Sequence, residues 1–146
     1  MFKSVLMAVL AFGFSLGAAA APTNPDDCVY INKVRAFAPE SDTTLVVRQG
    51  KGVYRRIELV AGCPVVQADR IGFGYGNTLM SVHNPTGGYT RVTSSNMVGR
   101  FCSATPHANV VLINDRSNHD RQCKILTISP ATEEEFDALR AKDNRY

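Results

Sequence analysis

Short apolar or alternating runs recur along this chain at the spacing of strands, and only one stretch carries the signals of a helix. Strand-like runs occupy residues 29–35, 44–49, 53–60, 69–73, 78–82, 89–93, 97–101, 109–113 and 124–128. Within 53–60, Val53, Ile57 and Leu59 share one face with Arg55, while Tyr54, Arg56, Glu58 and Val60 share the other. That period of two suits a strand with one side on a core. Gln49-Gly50-Lys51-Gly52 and the longer run 84–88 read as hairpin loops, because their glycines can take positive φ. From Ile71 to Gly76 glycine alternates with apolar residues, the mark of a bent or bulged strand. A phosphate-binding loop would lead into a helix, yet residues 77–80 continue as strand. Thr132 and Glu135 stand at capping-box spacing, and Phe136 and Leu139 give the helix that follows a narrow apolar stripe. The expected fold is mainly β, a small antiparallel barrel or sandwich closed by a short C-terminal helix.

The chain begins with a different pattern. Lys3 precedes an apolar stretch from Val5 to Leu16, and Gly17-Ala18-Ala19-Ala20 supplies the small residues of a cleavage site. This is the form of an export signal, cut after Ala20. The expected organisation is a removed leader at 1–20, a flexible lead-in at 21–27, one β-rich domain at 28–140 and a frayed tail at 141–146. No run after the leader approaches the ~20 apolar residues of a spanning helix, so stable membrane insertion is not expected. The expected location is the periplasm or the exterior.

Export changes how the cysteines are read. Cys28, Cys63, Cys102 and Cys123 contain no C-x-x-C pair, which disfavours both a zinc knuckle and thioredoxin-type chemistry. Two structural disulfides are expected instead. If the nine strands form a plain up-and-down meander, Cys28 and Cys123 fall at one end and Cys63 and Cys102 at the other. That parity favours Cys28–Cys123 and Cys63–Cys102.

Charge adds little. The sequence holds 16 basic and 13 acidic residues, a net charge of +3, and one of the basic residues is Lys3 of the leader. Arg55-Arg56 is the sole adjacent basic pair and would point to opposite faces of a strand. Nucleic-acid binders gather such charge on one face, so that class is not expected.

Candidate chemistry is sparse. His83, His107 and His119 fall in expected loops, and with Asp115 and Asp120 they form the candidate binding-loop set. None stands at metal-ligand spacing such as H-E-x-x-H. Ser94, Ser95 and Ser103 lack a nucleophile elbow, and Glu133–Glu135 have a structural role at a helix start. No catalytic residue, metal or cofactor is assigned. The loops 81–89 and 114–122 are the first candidates for recognition.

The cysteine contexts resemble a family of small, exported proteobacterial proteins known only as a domain of unknown function. The resemblance rests on Cys28 with Ile31 and Arg35, Gly62-Cys63-Pro64, Arg70-Ile71-Gly72-Phe73, Gly99-Arg100-Phe101-Cys102, and Cys123-Lys124-Ile125 leading to Pro130 and Glu133–Glu135. It implies an envelope or periplasmic location and brings no activity or site residue. The expected function is a non-enzymatic domain that binds an envelope protein or small ligand. The alternatives are a small periplasmic hydrolase whose residues converge only in three dimensions, and a structural subunit of an envelope complex.

Overall fold

In the computed structural model, described at residues 25–50, 52–85, 89–91 and 99–143, ten strands and one helix follow one another along the chain. The strands are β1 (Cys28–Tyr30), β2 (Val34–Pro39), β3 (Thr44–Gln49), β4 (Val53–Leu59) and β5 (Arg70–Tyr75). They continue as β6 (Thr78–His83), β7 (Tyr89–Arg91), β8 (Arg100–Cys102), β9 (Ala108–Asn114) and β10 (His119–Ala131), before helix α1 (Glu133–Lys142). The expected leader and residues 21–24, 51, 86–88, 92–98 and 144–146 lie outside the described residues.

Eight strands form one antiparallel sheet in the order β2-β3-β4-β10-β9-β5-β6-β7, curled into a half-barrel. The mainly β class and the C-terminal helix are as the sequence implies, but the meander is not. β10 lies between β4 and β9, pairing with β9 over His119–Lys124 and with β4 over Ile125–Ala131. A bulge at Leu126 marks the changeover. β1 and β8 leave the large sheet and form a separate two-stranded ribbon.

These two departures reverse the disulfides. The bonds are Cys28–Cys102 and Cys63–Cys123, not Cys28–Cys123 and Cys63–Cys102. Cys28 and Cys102 are direct partners across the ribbon, and β10, inserted beside β4, carries Cys123 to the loop that holds Cys63. Parity along a meander fails wherever a strand is inserted out of order.

The concave face holds the main core, in which Phe37, Leu45, Ile57, Ile71, Phe73 and Val110 are fully buried. The ribbon covers it through Val29 and Phe101, whose ring lies 6.1 Å from that of Phe73. A smaller core lies on the other face of β2–β4, where α1 sets Phe136 against Ala36, Ala38, Val46 and Tyr54. The helix starts as its sequence implies. Thr132 accepts from the Glu135 backbone at 3.2 Å, and Glu135 accepts from the Thr132 backbone at 2.8 Å. Arg56 ties that start to the sheet, 2.9 Å from Glu40 and 3.1 Å from Glu135.

Residues 25–27, expected in a mobile lead-in, form a 3₁₀ turn pinned by an Asp26–Arg55 ion pair at 3.2 Å. The helix also runs through Lys142, past the expected start of fraying. On the convex face Gly74 makes room for Asn109, whose Oδ1 lies 2.5 Å from where a Cβ would stand.

Candidate functional site

The five candidate residues separate into three places. His83 is not in a loop: it ends β6 and is fully buried. Its Nε2 lies 3.0 Å from Ser81 Oγ, and its ring meets Phe73 edge-on at 5.5 Å. Burial pushes its pKa down to about 4; the nearby positive charge of Arg35 acts in the same direction and hydrogen bonding to the Val34 backbone opposes it. The imidazole is therefore neutral at pH 7. Ser81 and His83 have the spacing of a nucleophile and base, but at 1% and 0% exposure they are sealed from any substrate. This pair belongs to the core.

His107 does lie in a turn, immediately before β9. Asp115, His119 and Asp120 lie at the other end of β9, around the β9–β10 hairpin. Seven strand residues separate the two ends, a distance of roughly 20 Å. The three histidines do not converge.

The hairpin end builds a groove. In register, Arg121 faces Leu112 and Cys123 faces Val110, and all but Arg121 belong to the main core. Alternation places Asn114, His119 and Arg121 on that same concave side, beyond the apolar region. The 3₁₀ turn Val65–Gln67 crosses in front of them, with Val65 buried and Gln67 exposed. Between the two walls opens a space of about 420 Å³. Pro64, Ala68 and Leu112 provide apolar lining; Gln67, Asn114, Ser117, His119, Asp120 and Arg121 make its rim polar.

Five ties, made by residues 62–70 that carry and flank the 64–68 wall, fix it to the hairpin. The Cys63–Cys123 disulfide is covalent. Arg121 Nη1 donates to the Gly62 carbonyl, and Asn114 Nδ2 donates to the Gln67 carbonyl at 3.1 Å. The Asp115 backbone N–H donates to the Asp69 carboxylate at 3.0 Å. Arg70 grips the Asp115 carboxylate with two nitrogens, its Nε lying 3.1 Å from Oδ2. That hydrogen-bonded guanidinium holds the Asp115 carboxyl below the usual carboxylate range. Asp115 thus braces the groove and is not free to act as a base.

The hairpin turn is locally specified. Asn114 Oδ1 accepts from the Arg116 and Ser117 backbones at 3.0 and 3.1 Å, and Asn118 takes a φ of 54°. Asparagine suits both tasks. The expected loop 114–122 is therefore a tight turn, with His119 and Asp120 already in β10.

Sequence reasoning missed Pro64, Gln67 and Ala68. The signal that could have found them, the pairing of Cys63 with Cys123 that lays residues 64–68 beside 119–122, is not ranked by the sequence alone. Among the described residues, no group of three or more His, Cys, Asp or Glu could hold a metal ion. No helix among them is long and apolar enough to cross a membrane. No family model, curated protein or solved structure matches this chain.

Proposed function

We propose that this chain is an exported recognition domain that holds an envelope protein or small ligand in the groove between residues 64–68 and the β9–β10 hairpin. The observation that carries this reading is the set of five ties, one covalent and four polar, by which residues 62–70 fix the 64–68 wall to the hairpin. A groove fixed before its ligand arrives loses little further conformational freedom on binding. Its side chains offer donors and acceptors of both kinds around an apolar floor, the make-up of a recognition site. Export to the periplasm or beyond draws support from the leader-like residues 1–20 and from two disulfides, which persist in oxidising compartments.

The hydrolase alternative would draw on His107, His119, Asp115 and Asp120, and two observations weigh against it: His107 lies at the opposite end of β9 from the other three, and Arg70 engages Asp115.

The test compares the exported protein with the double variant Gln67→Ala/His119→Ala, since neither side chain ties the walls together. Immobilised wild-type protein is expected to retain an envelope component that the variant, unchanged in melting temperature, loses. Equal retention by both, or none by either, would overturn the proposal.

A further inference from the structure

A second opening lies on the convex face, at the end of β9 away from the groove. We propose that it is a binding site for the oxyanion group of a small ligand, a phosphate or a carboxylate, held by Lys124, His107 and the side-chain amides of Asn77 and Gln122.

The opening measures about 510 Å³ and is bounded by the turn after β5, the turn before β9 and the outward face of β10. Register explains the space. Gly74, Asn109 and Lys124 form one row across β5, β9 and β10, directly opposite one another. Gly74 has no side chain, and Asn109 leans over it, with Oδ1 only 2.5 Å from an added Cβ. Asn109 is thereby turned away from its other neighbour, Lys124, and a hollow remains on that side. Among the described residues that line it, the charge-bearing types are Lys124 and His107, and none is a carboxylate. Amide N–H groups beside an ammonium match the acceptor-only surface of an oxyanion.

The rim is held in a costly arrangement. His107 has a φ of 60°, a left-handed conformation that glycine would adopt with less strain. Its carbonyl accepts from the Gly76 backbone at 2.8 Å, joining the two turns. Asn109 Nδ2 donates to the Gly76 carbonyl at 2.9 Å, which fixes the side chain and leaves Oδ1 buried with no hydrogen-bond partner among the described residues. Backbone strain at this rim is a feature that simple turns avoid, and Asn109 Oδ1, an acceptor that would repel an anion, lies against Gly74 on the side away from the hollow. A histidine rather than a glycine at position 107 sets an imidazole at the opening, its ring edge-on to Tyr75 at 6.0 Å. This site is separate from the groove and does not depend on its function.

Amide NMR titration of the exported protein tests the proposal, with inorganic phosphate, acetate and neutral glucose as probes. Saturable shifts at residues 76–77 and 107–109 with phosphate or acetate are expected, and the tighter of the two identifies the source of the oxyanion. Lys124→Gln should weaken that binding about tenfold or more, as loss of a charge-assisted contact does. His107→Gly relieves strain, so it should weaken binding while the melting temperature holds or rises. Absence of saturation, equal response to glucose, or variants that bind as wild type would overturn the assignment.

Discussion

His83 shows how one residue can look functional in a sequence and be structural in the fold. The alternation of β6 ends on it, and its strand partner is Ile71 of the core face. Its neutral form is favoured in the folded protein because burial lowers the pKa from the usual 6.5 to about 4. The unfolded chain therefore binds more protons between those values. Stability contributed by the neutral ring is complete above pH 6.5 and is lost as pH falls through about 4. The loss would reach at most roughly 3 kcal/mol well below pH 4. His83→Gln keeps a polar partner for Ser81 and removes the titration. Its melting temperature should vary less between pH 7 and pH 4 than that of the wild type; equal slopes would assign acid lability to other groups. The sequence shows a histidine with Ser81 two residues before it, but burial is decided by what lies across the sheet.

At the scale of elements, local signals were legible wherever a short segment determines its own structure. The capping box and acidic start of α1 form as their spacing implies, and Phe136 is the helix residue that becomes buried. Thr132→Ala should cost about 1 kcal/mol, read as a lower denaturation midpoint with an unchanged slope; no shift would mean that the packing of Phe136 alone holds the helix. Strands with an apolar run or alternation, β3 and β4 among them, were also visible. The first half of β10 was not. His119-Asp120-Arg121-Gln122 has no apolar member to mark a face, and it becomes a strand because β9 offers a complementary edge. Long-range pairing overrides a polar composition that reads locally as loop.

At the scale of the molecule, the disulfides connect sequence to site. Mass spectrometry of unreduced peptides should link Cys28 to Cys102 and Cys63 to Cys123. Any other pairing would refute the inserted position of β10 or the separate ribbon. The Cys63–Cys123 bond spans 60 residues, a loop worth up to about 4 kcal/mol in the chain-entropy model. Replacing both of its cysteines by alanine should lower the melting temperature and loosen the groove walls together. A variant that melts lower but retains the groove's ligand with wild-type affinity would show that the four polar ties suffice.

The sequence by itself determined the class of the fold, the terminal helix and the even set of thiols, because each follows from patterns a few residues long. Strand order, thiol pairing and the meeting of residues 64–68 with the β9–β10 hairpin were decided only by the tertiary structure. These depend on contacts between segments about sixty residues apart, where no local periodicity ranks one partner above another. The curled sheet selects among them by burying apolar residues on both of its faces.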